Sequence, residues 1–134
     1  MSTEKISIVL IGAGKMGFAM LQGWANLGLA GANVAVLEPS PYPELAALCA
    51  AKGIRLNPDA ATLAEPQILV LAIKPQTLDA AAPQIAALAG PGTLIVSILA
   101  GKSIGDLAAR APRAAAIARA MPNTPAAIGR GVTG

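Results

Sequence analysis

Along this chain, apolar residues gather in short runs, and the runs are separated by stretches in which apolar positions recur at helical spacing. KISIVLIG (5–12), NVAVLE (33–38), ILVLAI (68–73) and TLIVSIL (93–99) are rich in Val, Ile and Leu, which predicts strands buried on both faces. GIRL adds a brief strand. Residues 15–28 carry Met16, Met20, Gly23 and Leu27 at helical spacing and stop near Gly28, and ELAALCAAKG (44–53) reads as a helix closed by glycine. PDAATLAEP offers a short helix or a turn. Pro75 stands where a helix begins, and residues 76–89 read as helix up to Gly90. SIGDLAARA is a short helix with Ser103 as its cap. AAAIARAM (114–121) fits strand or helix by periodicity; the alternation of the whole chain makes it a strand, followed by the turn PNTP.

Strands alternating with helices at this spacing predict parallel βαβ units with right-handed crossovers. The expected fold is α/β: a Rossmann-like, doubly wound, mainly parallel sheet with helices on both faces. No fixed-period repeat, low-complexity tract or linker divides residues 1–134, so a single domain is expected.

Composition narrows the function. With 134 residues, 54% of them hydrophobic and 13% charged, the chain can bury a real core and is not of disordered type. One Phe, one Trp and one Tyr leave little to build a base-stacking platform for single-stranded nucleic acid. The net charge of +3 is unevenly placed: from Lys102 onward, Lys102, Arg110, Arg113, Arg119 and Arg130 face only Asp106. Solvated surface charge is the favoured reading of most of these residues, with an anionic ligand or a nucleic-acid surface as the others. A single cysteine, Cys49, rules out an internal disulfide and sits on an apolar helix face, which favours packing over catalysis. The absence of histidine removes the commonest general acid–base and metal ligand, so no metal is expected. No apolar run approaches the roughly twenty residues of a membrane span, and MSTEKISIVLIGAG lacks the basic lead of a signal peptide. A soluble, cytoplasmic protein with no membrane or nucleic-acid partner is expected.

The first loop carries chemistry. In VLIGAGKMGFAM (9–20), Gly12, Gly14 and Gly17 follow a predicted strand and open a predicted helix. Either this is an ordinary tight turn, or a phosphate comes close to the backbone. In the second case Gly12 permits the turn, Gly14 admits a pyrophosphate, and Gly17 lets the helix pack on the strand. The helix N-terminus then meets the phosphate charge. An acid about twenty positions on, at the tip of the second strand, is the companion signal, and Glu38 stands there. Its carboxylate suits the ribose hydroxyls of NAD and repels the extra phosphate of NADP. The GxxxxGK[ST] pattern of nucleotide hydrolases is absent.

Ligands of open α/β sheets sit at the carboxyl ends of the strands, which directs attention to AIKPQ (72–76), ILAGKS (98–103) and AMPNTP (120–125). Asn123 and Thr124, between two prolines, offer groups suited to a nicotinamide carboxamide; a purely structural turn explains them equally well.

IGAGKMGFAM, LAIKPQ, SILAG and RAMPNTPAAIGRGVTG, in this order, resemble pyrroline-5-carboxylate reductase across essentially the whole chain. The resemblance implies reduction of 1-pyrroline-5-carboxylate to L-proline, the last step of proline biosynthesis, with NADPH or NADH. It implies a phosphate loop at Ile11, Gly12, Ala13, Gly14, Lys15 and Met16, next to Gly17, and adenosine contacts at Glu38, Pro39 and Ser40. Ala72, Ile73, Lys74 and Pro75 would lie beside the nicotinamide ribose, Leu99, Ala100 and Gly101 on another cofactor-facing segment, and Pro122 and Asn123 near the nicotinamide ring. The chain departs from the family in having Ala60 where many relatives carry Asn near the adenine, and Glu38 where many carry Ser or Arg. Family habit therefore points to NADPH and Glu38 to NADH. The family continues into a C-terminal helical domain that dimerises and builds much of the substrate pocket. This chain is accordingly expected to be the cofactor-binding portion of a homo-oligomeric enzyme, to stop before that domain and before the sheet is finished, to be inactive alone, and to expose an apolar edge near residues 126–134. No catalytic residue is assigned: Lys74 is read as held by its backbone role and Ser97 by packing. The other readings are a β-hydroxyacid-type dehydrogenase, which shares a GxGxMG loop, and a non-catalytic dinucleotide-binding module; a nucleic-acid binder rests only on the basic C-terminal third.

Overall fold

The computed structural model describes residues 6–28, 31–59, 63–99 and 103–120. Its strands are β1 (Ile8–Ile11), β2 (Val34–Leu37), β3 (Arg55–Leu56), β4 (Ile68–Leu71), β5 (Leu94–Ser97) and β6 (Ala116–Arg119). Its helices are α1 (Lys15–Asn26), α2 (Pro43–Lys52), α3 (Leu78–Leu88) and α4 (Ile104–Arg110), with a short 3-10 turn at Pro75–Thr77 leading into α3. The six strands form one sheet in the order β3-β2-β1-β4-β5-β6, and every pairing is parallel. This is the Rossmann order, with the reversal of direction falling between β1 and β4. The ambiguous segment AAAIARAM is a strand, as the alternation requires. The described part of PDAATLAEP, residues 58–59 and 63–66, is neither helix nor strand, and the proposed edge at 126–134 lies outside the described residues.

Because strand side chains alternate in direction, the apolar runs feed two cores. Val9 and Ile11 of β1 with Leu69 and Leu71 of β4 meet Leu78, Ile85 and Leu88 of α3 and Leu107 of α4 on one face. Leu10, Val36 and Val70 meet Leu21 and Ala25 of α1 and Leu45 and Cys49 of α2 on the other. The strands are continuous in hydrophobicity because each face has its own pair of helices to cover it. Cys49 is packed in the second core, and burial pushes its thiol pKa up.

The structure corrects one expectation and sharpens another. On α1 the buried stripe is Gly17, Leu21 and Ala25, not the one through Met16, Met20, Gly23 and Leu27; Leu27 is 74% exposed. The helix seats on a glycine rather than on its largest side chains, because a Cβ on Gly17 would lie 2.9 Å from the Gly12 carbonyl oxygen. Two basic residues of the C-terminal third are not simply solvated. Arg110 pairs with Asp79 of α3, and the Arg113 guanidinium donates to the Ala86 and Ala87 carbonyls at the end of that helix. A guanidinium at a helix C-terminus answers both the unpaired carbonyls and the negative end of the dipole. Ser103 caps α4 as expected, in a reciprocal capping box with Asp106.

Gly12 has φ +89°, and a Cβ there would sit 2.8 Å from Ile73 Cγ2 and 2.9 Å from the Ile73 nitrogen. Gly12→Ala is therefore expected to destabilise the fold by about 2 kcal/mol or more, measured as a lower urea midpoint at unchanged slope.

Candidate functional site

The carboxyl ends of β1, β2 and β4 open into a cleft of about 910 Å³, at the point where the strand order reverses. Its floor is the glycine turn. The Gly12 amide donates to the Leu37 carbonyl at 2.8 Å, extending the β1–β2 ladder one step, while the Ala72 amide donates to the Ile11 carbonyl on the β4 side. The chain then turns at Gly12 and enters α1 at Gly14, the N-cap residue. A Cβ on Gly14 would meet nothing within 4 Å, so the backbone lies bare to the cleft there. α1 begins with no side-chain cap and no acidic residue in its first turn. The other three helices each carry one there: Glu44, Asp79 and Asp106. Among the described residues, the positive end of α1 is thus the one that no acidic first-turn side chain neutralises, and it borders the cleft.

On the β2 side, three side chains hold the turn and the loop facing it. Glu38 Oε1 accepts from the Ala13 amide at 2.8 Å and Oε2 from the Ser40 amide at 3.0 Å. The Tyr42 hydroxyl donates to the Ala13 carbonyl at 2.6 Å, and its ring packs at a tilt against Phe18 with centroids 5.9 Å apart. Asn57 Oδ1 accepts from the Glu38 amide at 2.8 Å, and its Nδ2 donates to the Glu38 carbonyl at 2.9 Å. Both polar groups of Ala13 are therefore taken by side chains, in a turn that has no ladder partner for them.

On the β4 side, Ala72, Ile73 and Lys74 line the cleft, and Lys74 is exposed at its mouth. The Thr77 hydroxyl donates to the Lys74 carbonyl, closing the turn in which Pro75 begins the 3-10 segment. Ser97 is buried, its Oγ accepting from the Leu99 amide, in keeping with a packing role.

Of the residues singled out in the sequence, the cleft brings together Ile11, Gly12, Ala13, Gly14, Glu38, Pro39, Ser40, Ala72, Ile73 and Lys74. Lys15 lines a smaller adjoining depression, Met16 is a partly exposed residue of the first turn of α1, and Gly17 lies beneath the turn against Gly12. Pro75 and Leu99 are outside the cleft lining, the Leu99 side chain being packed in the core under α4. Ala100, Gly101, Pro122 and Asn123, like Ala60, lie outside the described residues. Tyr42, Asn57, Thr77 and Gln84 also line the cleft and were not anticipated. The position of Tyr42, the one tyrosine, four residues past Glu38, and of Asn57, just beyond the third strand, was the available signal.

Burial raises the Tyr42 pKa above its ordinary value of 10.0, and the carboxylates of Glu38 and Glu44 add to the rise. The folded chain therefore holds the phenol proton more tightly than the unfolded chain does. The stability this contributes is complete below pH 10.0 and is lost as pH rises through the folded value. Urea midpoints of the parent chain should fall above pH 10.0 more steeply than those of Tyr42→Phe, the difference isolating Tyr42 from the lysines.

Residues 7–101 match the family described as NADP oxidoreductase, coenzyme F420-dependent. A pyrroline-5-carboxylate reductase of Pasteurella multocida is 33% identical over 135 residues, covering 96% of this chain and 48% of the relative. The chain spans about half the length of the curated relatives it matches. Among solved structures, a pyrroline-5-carboxylate reductase from Coxiella burnetii superposes with a TM-score of 0.78 at 23% identity, over 93% of this chain and 47% of that one, a likeness of fold. The Plasmodium falciparum pyrroline carboxylate reductase, solved with NADP bound, gives a TM-score of 0.70 at 26% identity, over 96% of this chain and 46% of its own. The matched segment runs from β1 through β5 and takes in the glycine turn, Glu38 and the β4 loop, so the chain belongs to the NADP oxidoreductase, coenzyme F420-dependent family.

Proposed function

We propose that this chain holds NADH and forms the cofactor half of a reductase converting 1-pyrroline-5-carboxylate to L-proline. The observation that carries the cofactor preference is Glu38, a carboxylate anchored by two backbone amides at the tip of β2 and facing the cleft. A carboxylate has about four acceptor directions. Two are used by Ala13 and Ser40, so the diol of an adenosine ribose can be accepted without breaking either bond. A 2′-phosphate would instead meet a fixed negative charge. NADPH is the second reading, favoured by the NADP bound to the Plasmodium falciparum relative.

The residues present fit a dinucleotide on structural grounds. The bare Gly14 backbone and the uncapped start of α1 suit a pyrophosphate, and the cleft is lined by Asn57 and Pro58 on the β2 side and by Thr77 and Gln84 on the α3 side. When bound, the reduced nicotinamide supplies the hydride for the C=N carbon of the cyclic imine. The contribution of this chain is to place it: Glu38 and Ser40 hold the adenosine side, Gly12 to Met16 the pyrophosphate, and Ala72 to Lys74, near Pro75, the nicotinamide ribose. By resemblance to the family, Leu99, Ala100 and Gly101 are assigned to another cofactor-facing segment, Leu99 through its backbone since its side chain is buried, and Pro122 and Asn123 to the surroundings of the nicotinamide ring. By resemblance to the family, the imine pocket and the contacts of a homo-oligomer are assigned to a helical C-terminal domain. Among the described residues no helix is long and apolar enough to cross a membrane, and we assign the reaction to the cytoplasm.

Titration of the chain by nicotinamide fluorescence is expected to show NADH bound about tenfold or more tightly than NADPH, the equivalent of roughly 1.4 kcal/mol from one unfavourable charge contact. Preference for NADPH would overturn the reading of Glu38. In Gly14→Ala, whose Cβ points into open space, the fold should lose under about 1 kcal/mol while both cofactors weaken about tenfold. An unchanged affinity would make the glycine run a turn and nothing more. Cofactor binding by the chain without imine-dependent NADH oxidation is expected; turnover would show that the imine pocket lies within these residues.

A further inference from the structure

The tip of β2 outruns its neighbour. β3 is only Arg55–Leu56, pairing with Ala35 and Val36, so the ladder on that side ends before Glu38. Asn57 continues it by other means. Its backbone amide still donates to the Val36 carbonyl at 2.7 Å, but its backbone then turns to φ +49° and leaves the sheet. Its side-chain amide takes the place of the departing strand, accepting from the Glu38 N–H and donating to the Glu38 C=O. Asn is one of the few residues that tolerates this left-handed conformation. It adopts it directly before Pro58, where an extended conformation is favoured, so the geometry is held against a local preference.

Glu38 has one other fixed point, its carboxylate on Ala13 and Ser40. With the backbone clasped by Asn57 and the carboxylate clasped by the two amides, neither can shift without breaking charge-assisted or paired hydrogen bonds. We infer that Asn57 is a positioning residue for cofactor recognition: by gripping the Glu38 backbone it aims the Glu38 carboxylate, and so sets both the grip on the Ala13 amide and the discrimination against a 2′-phosphate. The inference rests on the dinucleotide reading of the cleft. Asn57 acts through Glu38, and it differs from the Asn near the adenine that many members of the resembling family carry, whose counterpart here is Ala60.

Asn57→Gly tests this without adding strain, since glycine accepts the positive φ freely and only the clasp is lost. NADH and NADPH are titrated by nicotinamide fluorescence against the full chain, Asn57→Gly, Glu38→Gln, and the double variant, with a urea midpoint for each. NADH affinity should fall roughly three- to tenfold in Asn57→Gly, the range of one or two lost hydrogen bonds, while NADPH falls less, so that the NADH:NADPH preference shrinks. In the Glu38→Gln background the same change should leave the preference unaltered, because the charge that Asn57 aims is gone. A structural role alone would lower the urea midpoint and weaken both cofactors equally; an unchanged preference ratio in Asn57→Gly overturns the inference. Should that variant fail to fold, Asn57→Ser, which is uncharged and too short to bridge the Glu38 N–H and C=O together, is read against the same ratio. If the parent chain binds neither dinucleotide, the reading of the cleft itself is wrong, a result distinct from binding with an unmoved ratio.

Discussion

The seating of α1 depends on a backbone contact: Gly17 lies so close to the Gly12 carbonyl that a Cβ would come within 2.9 Å of it. This approach determines how deeply the helix sits on the end of β1, and hence which α1 residues enter the core. Leu21 and Ala25 follow at one-turn intervals on the same stripe and are buried, while Met16 and, at the C-cap, Leu27 are left exposed. It also determines where the first amides of α1 end up. Were the helix displaced to make room for a side chain, its N-terminus would move away from the cleft between β2 and β4. Packing and candidate binding are thus consequences of one missing methyl group.

A turn brought this close to the sheet has polar groups that no ladder can satisfy, and unpaired backbone groups of this kind are costly once water is limited. The chain meets that need from across the cleft. Glu38 takes the Ala13 amide, Tyr42 takes the Ala13 carbonyl, and Asn57 secures Glu38. The carboxylate that a cofactor ribose would address is thereby also part of the loop's own support. On the proposed reading, recognition and local stability share one group, Glu38, whose carboxylate accepts from two backbone amides. The β4 side is simpler: the loop there is built of Ala72 and Ile73, small enough or turned so that the glycine turn can rest on them.

The basic residues of the C-terminal third illustrate how charge is reassigned by folding. Arg110 and Arg113 bind α4 and the approach to β6 onto α3, through Asp79 and the free carbonyls at the end of that helix. A run of arginines that could read as a face for an anionic polymer is, for these two positions, the fastening of the βαβ unit of β5, α4 and β6. Asp79 in turn does double service, answering the positive start of α3 and the Arg110 guanidinium.

The doubly wound sheet, the strand order's parallel character, the cap at Ser103 and the place of the glycine turn were all legible in the sequence. Each follows from local periodicity or from one residue type at a chain position, and the burial of β1 and β4 on both faces leaves little choice of fold. The candidate site was legible in part: Gly12, Gly14 and Glu38 announce themselves by spacing along the chain. Asn57 and Tyr42 did not, because their roles are contacts with Glu38 and Ala13, 19 and 29 positions away, and no periodicity encodes such a pairing. Nor could periodicity choose the buried stripe of α1, since a hydrophobic pattern cannot weigh a large side chain against a glycine that must touch backbone. What the sequence alone determined is the set of elements and the turn that joins the first two. Only the tertiary structure decided which face of α1 is buried and which side chains hold the turn, because both depend on distances between segments that meet only after the sheet has formed.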